Sequence, residues 1–333
     1  MVKKVLGSPV VRIGFVVLAV GLGVWAVYVQ HDAVATGLRR VGPLTVLVAL
    51  LTIIAGLVAS LQTWRSLLAS LGSPLPLTVA GRIFFIGQLG KYLPGSVWPV
   101  LMQTELAKAE NVPRVRTATA AILAMGITLA AGLLAVIATL PLLTSGETAG
   151  YRWIVLAAPV LLIGLLPRII NPALGWLLRL AKRPPLEHPL TGRAVLVALV
   201  WALISWVLLC AHVWLLAVRL GAPPGRAALL AIGGFAFAWT AGFLVVFAPA
   251  GAGVREVILV ATLTTVLDAG EATVIALVSR VLMSLADLIV AGLAIWAAWS
   301  KRPRGGVRRG DQDVPAPPSR SNGSEPTGSV VTG

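Results

Sequence analysis

Long apolar runs without a charged residue are the feature that most limits how this chain can fold. A helix needs about 20 consecutive apolar residues to cross a bilayer. Soluble domains run near 25% charged residues, whereas 12% of these 333 residues are charged and 58% are hydrophobic. The sequence therefore predicts an all-α, polytopic helical membrane protein and excludes a soluble globular enzyme. The longest uncharged runs are 13–31, 41–64, 117–146, 194–218 and 227–254.

The basic residues predict how these spans are oriented. With the N-terminus in the cytoplasm, 20 of the 25 basic residues assigned to loops lie inside, as the positive-inside rule requires. We therefore expect a multi-pass protein of the cell membrane with cytoplasmic N- and C-termini. No basic stretch carries interleaved aromatic residues, so the excess of 27 Lys and Arg over 12 Asp and Glu predicts no nucleic-acid partner.

Two segments are not typical of ordinary spans. Around Pro94 and Gly95 the sequence predicts two half-helices, about 78–90 and 97–109, that enter the membrane and return. Between 226 and 268 it predicts a long helix, a break over 248–253 and a short helix over 254–267. Irregular backbone at membrane depth is tolerated only inside protein or beside a water-filled cavity. We therefore expect two re-entrant hairpins packed within the bundle.

The order of elements suggests an internal repeat. Each half contains span, span, broken hairpin and span, over about 10–143 and about 152–299. Three crossings per half would invert the second half relative to the first, an arrangement typical of transporters. The prediction is about six full spans plus two re-entrant hairpins in a membrane domain over 1–300, followed by a disordered basic cytoplasmic tail over 301–333.

The segment that joins the two halves has an amphipathic pattern. Residues 153–167 predict a short span, and 172–183 predict a helix on the cytoplasmic surface. On that second helix, Leu174, Leu177 and Leu178 share the apolar face.

Ionisable residues within apolar sequence are the candidate functional residues. A charge exposed to lipid costs at least about 3 kcal/mol, so such groups face a cavity or a partner. Arg255 and Glu256 follow the glycine-rich break, and Arg280 and Asp287 lie two turns apart on one helix face. Lys91 precedes the other break. Two interpretations remain open: ion pairs that hold the bundle together, or a polar patch that binds a lipid headgroup with help from helix N-termini.

The sequence shows no pattern typical of catalysis. It contains no nucleophile, phosphate-loop or dinucleotide motif, and its histidines are scattered, so we expect no catalytic residue, no metal and no cofactor. We expect His212 to hydrogen-bond within the bundle, Cys210 to be an inert buried thiol, and the small residues Gly234, Ala238 and Gly242 to allow close helix packing.

Two motifs resemble a known family. They are Gly90-Lys-Tyr-Leu-Pro-Gly-Ser-Val-Trp98, with Glu105-Leu-Ala-Lys108 after it, and Pro249-Ala-Gly-Ala-Gly-Val-Arg-Glu256. Their order and spacing resemble the lysylphosphatidylglycerol synthase transmembrane-region family, the flippase-like membrane domain of multiple peptide resistance factor, over roughly residues 10–300. The chain departs from the family at Gln103 and Glu105, where members often carry a basic residue. It also lacks the soluble aminoacyl-transfer domain, so we expect no lysyl transfer.

The resemblance implies a helical domain that moves an amphiphilic lipid between leaflets. The family motifs, together with the two charged residues of the last span, predict one lipid-binding site. Its residues are Lys91, Tyr92, Pro94, Gly95, Trp98, Gly253, Arg255, Glu256, Arg280 and Asp287. The expected function is a flippase-like transporter of a phospholipid or lipid-linked sugar, with anionic or phosphate-bearing membrane lipids as partners.

The main alternative is a non-transporting membrane partner of a glycosyltransferase or lipid synthase, and another is a membrane-embedded enzyme. The missing nucleophile and base count against the enzyme. A transporter needs its ionisable residues on a water-accessible cavity, whereas a scaffold can seal them in ion pairs.

Overall fold

A computed structural model of the chain describes residues 39–93, 97–143, 157–180, 182, 188–245 and 249–300. Within these residues the chain is helical and contains no β-strand. The predicted first span over 13–31 and the predicted tail over 301–333 lie outside the described residues. The helices are α1 Pro43–Ser70, α2 Leu77–Gln88, α3 Trp98–Lys108, α4 Arg114–Leu143, α5 Ala157–Gly164, α6 Pro167–Leu180, α7 Gly192–Arg219, α8 Pro224–Leu244, α9 Val254–Leu263 and α10 Ala269–Ser300.

The helices confirm the predicted class of a polytopic helical membrane protein. Five of them, α1, α4, α7, α8 and α10, are long and apolar enough to cross a membrane, and the bent pair α5–α6 would be a sixth. Helix α1 continues beyond the predicted end of its span at residue 64. It does so because the Arg65 Nε donates a hydrogen bond of 2.9 Å to the Leu75 carbonyl, which lets the charge remain within the helix.

The segment between the halves agrees with the prediction to within a few residues. Helix α5 ends at Gly164, close to the end of the predicted short span over 153–167, and α6 begins at Pro167 with a bend of 61° between the two helices. Proline is favoured at the first position of a helix, which explains why a new helix begins there. The amphipathic helix consequently starts before residue 172. Its apolar face is only partly covered, because Leu174 and Leu178 are buried while Leu177 is 41% exposed.

The first hairpin consists of α2 and α3, joined by a 3-10 turn over Leu89–Tyr92 and an extended Leu93. Gly87 in α2 lies against Gln103 in α3, and Arg82 is ion-paired with Glu110 beyond the end of α3, so the two arms run antiparallel. The predicted arms over 78–90 and 97–109 are confirmed to within two residues. Pro94 and Gly95 lie outside the described residues.

The second hairpin consists of α8 and α9. Gly234 lies against Thr262, and Gly242 lies against Gly251 and Arg255, so these arms also run antiparallel. The predicted small-residue ridge thus allows the arms to pack closely, as expected. Ala250, Gly251 and Gly253 all have positive φ angles, which confirms the predicted non-helical break for its described part, 249–253.

Helix α9 is shorter than the predicted 254–267, because the chain turns after Leu263 and Asp268 begins the next helix. The Asp268 carboxylate accepts a hydrogen bond of 2.8 Å from the Glu271 amide in the first turn of α10. A side-chain cap of this kind stabilises a helix start, which explains why α10 begins at Ala269.

Hydrogen bonds from α7 connect the spans that surround the two hairpins. Its Ser205 hydroxyl donates to the Gly56 carbonyl of α1 at 2.8 Å, and its Trp206 indole donates to the Thr128 carbonyl of α4 at 2.9 Å. Its buried His212 is hydrogen-bonded through Nε2 to the Ser279 hydroxyl of α10 at 2.7 Å, which confirms the structural role expected for this histidine. The turns at the tips of the two hairpins contact each other inside this frame. The inverted relation between the halves stays a prediction.

Candidate functional site

A cavity of about 150 Å³ lies between the two hairpins. Its lining residues Leu57, Thr128 and Ser205 are near the midpoints of α1, α4 and α7, so the cavity lies midway along the spans. A smaller cavity of about 40 Å³ adjoins it and shares Lys91, Arg255 and Asp287 with it. Non-helical backbone from both hairpins therefore lies beside a cavity, as the membrane environment requires.

The structure brings together most of the residues that the sequence predicts for the site. Three of them line both cavities, and Tyr92, Glu256 and Arg280 line the smaller one. Trp98 lines neither cavity, because α3 presents Pro99, Val100 and Gln103 to the larger one instead. Gly253 does not line a cavity either, but its amide contacts Glu256.

Asp287 of α10 binds the tip of the first hairpin. One oxygen of its carboxylate is 2.6 Å from the Lys91 ammonium and accepts a hydrogen bond of 2.7 Å from the Tyr92 hydroxyl. The residue is 4% exposed, so the interaction is nearly buried. Buried charges are stable only when they are paired and hydrogen-bonded, and this carboxylate has two donors.

Glu256 of α9 binds the same helix from the second hairpin. One carboxylate oxygen is 2.5 Å from the Arg280 guanidinium, and the other accepts a hydrogen bond of 2.6 Å from the Gly253 amide. Gly253 has a φ of 85°, a conformation that glycine adopts without steric cost. The glutamate thus stabilises the start of α9 while it neutralises a cation of α10.

Arg255 differs from the other charged residues of the site. Among the described residues it has no carboxylate partner and no hydrogen bond, and its buried Nε lacks an acceptor. Its guanidinium carbon lies 5.2 Å from the centre of the Trp239 ring, within the range of a cation–π interaction. A Cβ added at Gly242 or Gly251 would lie 3.0 Å or 2.8 Å from Nε, so the two glycines make room for the side chain.

The charges around the cavities leave one net positive charge. The Lys91–Asp287 and Arg280–Glu256 pairs each cancel, and Arg255 remains. A guanidinium presents a planar set of donors that can bind a phosphate through two parallel hydrogen bonds. The arrangement is therefore suited to one anionic group at the second hairpin.

Several residues of the larger cavity were missed by the sequence prediction. Trp239 stacks on Phe243 with ring centres 5.5 Å apart, and Trp206 meets Trp239 edge to face at 5.4 Å. The spacing of four between Trp239 and Phe243 places them on one helix face, but nothing local indicates which face lines a cavity. Gln103 and Trp64 also line it, each with a buried polar atom that has no hydrogen-bond partner among the described residues.

Comparison with known protein families identifies the family of the chain. Residues 11–291 match the family model described as the lysylphosphatidylglycerol synthase TM region. This stretch includes both hairpins and every residue of the two cavities. No curated protein sequence matches the chain.

Proposed function

Because the chain belongs to the lysylphosphatidylglycerol synthase transmembrane-region family, we propose that it moves a phosphate-bearing lipid between the leaflets of the cell membrane. The observation that carries the proposal is Arg255, a guanidinium that has no carboxylate partner in the described part of the chain and lies on a cavity midway along the spans. A charged headgroup cannot cross hydrocarbon unaided at low energetic cost. A cavity with one compensating cation lowers that cost for a phosphate.

The walls of the cavity support a lipid rather than a free anion. Aromatic side chains, among them Trp206, Trp239 and Phe243, form much of its surface beside the single net charge. Large apolar side chains on the outer faces of the spans, such as Leu51 of α1 and Val207 of α7, stay exposed where acyl chains would contact them. In this proposal the headgroup passes through the cavity while the tails remain in lipid, and no catalytic step is assigned to the chain.

The ion pairs favour a second candidate, a non-transporting membrane partner of a glycosyltransferase or lipid synthase. Four of the five charged side chains of the site neutralise each other, as residues that only hold a bundle together would. Arg255 separates the two candidates. A scaffold gains nothing from a desolvated cation without a counter-ion, whereas a transporter needs one for the phosphate.

The decisive experiment replaces Arg255 by lysine. Arg255→Lys keeps the charge but loses the planar fork, so we expect lipid transport in liposomes to fall about ten-fold, the factor that corresponds to about 1.4 kcal/mol. Thermal stability in detergent should change little. The matched control is Arg219→Lys, because the Arg219 Nε donates to the Val41 carbonyl at 3.1 Å, away from the cavity. This control should transport at the wild-type rate.

Two results would count against the transport role of Arg255. Wild-type transport by Arg255→Lys would reject the phosphate contact. A loss of stability that accounts for the whole loss of transport would favour the scaffold.

The proposed orientation places both termini in the cytoplasm. It rests on the distribution of basic residues and is tested by cysteine labelling in a Cys210→Ala background, which removes the one native thiol. We expect an impermeant thiol reagent added from outside to modify Thr148→Cys and not Gly310→Cys. Modification of Gly310→Cys in sealed cells would show that the C-terminus lies outside, which contradicts the proposed orientation.

A further inference from the structure

Besides the Nε atom of Arg255, two buried polar atoms of residues on the larger cavity have no hydrogen-bond partner among the described residues. The Oε1 atom of Gln103 and the Nε1 atom of Trp64 both lack a hydrogen bond among the described residues. The residues are 2% and 0% exposed, and both line the cavity. Buried polar groups in proteins are almost always hydrogen-bonded, so these two atoms indicate what kind of group the cavity accepts.

The two atoms are complementary in kind, since Gln103 Oε1 is an acceptor and Trp64 Nε1 is a donor. A hydroxyl can satisfy both, because it donates one hydrogen bond and accepts others. An ammonium only donates and would leave the indole unpaired. A carboxylate or a second phosphate only accepts, so it could pair with the indole but would leave the amide oxygen without a donor. Hydroxyl groups therefore fit this wall of the cavity best.

The carboxylates of the site argue separately against an amine. Asp287 lies 2.6 Å from the Lys91 ammonium, and Glu256 lies 2.5 Å from the Arg280 guanidinium, so both are already neutralised. An ammonium headgroup would find no free counter-ion among the described residues of the cavity and would be repelled by Arg255. An uncharged substituent on the phosphate avoids both costs.

The size of the cavity limits the substituent. Apolar protein cavities of about 150 Å³ accept benzene, so the cavity of about 150 Å³ here is large enough for one six-membered ring. The stacked pair Trp239 and Phe243 offers flat aromatic surface to such a ring. Pockets of this kind, lined by apolar and aromatic side chains with a few placed polar groups, are typical of small-molecule binding.

We infer that the transported lipid carries one uncharged, hydroxyl-rich ring on its phosphate, the phosphate lying at Arg255 and the ring between Gln103 and Trp64. This inference rests on the proposed transport function and names the substrate class of the same site. A glycosyl phosphate on a polyprenyl tail and an inositol phosphate on a diacyl tail share this chemistry.

The test compares lipids that differ only in the headgroup, with the purified full chain in liposomes. One matched pair is labelled phosphatidylinositol against phosphatidic acid, with phosphatidylethanolamine of the same acyl chains as the amine probe. The other pair is a polyprenyl-phosphate hexose against the polyprenyl phosphate. In at least one pair we expect the ring-bearing lipid to move about ten times faster than its partner. The pair that shows this difference indicates whether the transported lipid has a diacyl or a polyprenyl tail.

Variants of the ring-binding wall then locate the preference. Gln103→Leu and Trp64→Phe each remove one hydrogen bond while they retain most of the packing, so each should reduce the rate ratio within the preferred pair about ten-fold. Gln62→Leu is the matched control, since the Gln62 side chain contacts Arg65 and does not line either cavity. It should leave the ratio unchanged.

The outcomes separate the two proposals. If phosphatidic acid and phosphatidylethanolamine move as fast as the ring-bearing lipids, and Arg255→Lys slows all of them, the transport function stands and the inference about the ring is wrong. An unchanged rate ratio in Gln103→Leu and Trp64→Phe would also overturn the inference. If none of these lipids moves, the proposed function itself fails, and the inference fails with it.

Discussion

Both hairpins consist of two antiparallel helices joined by a break, but their arms differ in length and their tips differ in charge. The first has arms of 12 and 11 residues, and the second has arms of 21 and 10. The tip of the first carries Lys91, which is neutralised by Asp287. The second hairpin carries Arg255 just after its break, at the start of α9. This residue has no carboxylate partner among the described residues. The first hairpin is thus fixed to α10 through its cation, while the second leaves its cation available to the cavity.

The bases of the hairpins differ as well. Glu110 pairs with Arg82 and Glu105 pairs with Arg114, so ion pairs join the base of the first hairpin to itself and to α4. Among the described residues, no ion pair joins the arms of the second hairpin, which pack instead through glycines at positions 234 and 242. Ion pairs thus fix the base of the first hairpin, and close packing at glycines joins the arms of the second, while each hairpin also forms one ion pair with α10.

The largest effect is expected from breaking the pair at the first tip. Asp287→Asn leaves the Lys91 ammonium, whose side chain is 25% exposed, without its anion, which should lower the free energy of unfolding by roughly 3 kcal/mol. Denaturant titration in detergent measures the change. Lys91→Met in the same chain removes the orphaned charge and should recover most of the loss. If Asp287→Asn is as stable as the wild type, charge does not hold the first tip in place, and the two hairpins do not differ in this respect.

A smaller effect is expected from adding one methyl group to the glycines of each hairpin. Gly251→Ala places a Cβ 2.9 Å from the Gly242 Cα and requires alanine at a φ of +72°, so it should cost about 2 kcal/mol. Gly87→Ala in the first hairpin places a Cβ 2.5 Å from the Cγ of the buried Gln103 and 3.3 Å from its backbone nitrogen, so we expect a similar cost of about 2 kcal/mol.

The matched control for both variants is Gly126→Ala, since nothing lies within 4 Å of a Cβ added there. Thermal melting in detergent ranks the three. Equal melting temperatures for Gly251→Ala and Gly126→Ala would show that backbone contact does not fix the second hairpin.

The smallest effect is expected at the base of the first hairpin. Glu105→Gln removes the anion 2.6 Å from the Arg114 guanidinium, whose side chain is 41% exposed. Exposed ion pairs contribute about 0–1 kcal/mol and are screened by salt. We therefore expect a loss below about 1 kcal/mol in denaturant titration, shrinking further at high salt. If Glu105→Gln lowers the free energy of unfolding as much as Asp287→Asn does, the ion pair at the base contributes as much to the stability of this hairpin as the pair at its tip.

The sequence was sufficient for features that depend on local chemistry. Prolines, glycines and charges mark the ends of helices, so the arms of the first hairpin and the break before α9 were predicted within a few residues. The end of the short span before Pro167 was also predicted to within three residues, but the bend of 61° was not, because the sequence pattern does not give the angle between two helices. Arg280 and Asp287 were correctly placed on one face, but their partners lie on different hairpins, far away in the sequence. Gln103, Trp64 and Trp239 are neutral residues whose role depends on which helix faces meet, so helix packing alone reveals them.

The opposite charges on α10 have a consequence for how the chain assembles. Asp287 accepts the cation of the first hairpin, and Arg280 accepts the anion of the second. If the hairpins exchanged places, Lys91 would face Arg280 and Glu256 would face Asp287, and like charges in low dielectric repel strongly. A chain with two hairpins of similar outline risks inserting each where the other belongs. The order of one positive and one negative residue along α10 distinguishes them and so selects the correct arrangement during folding.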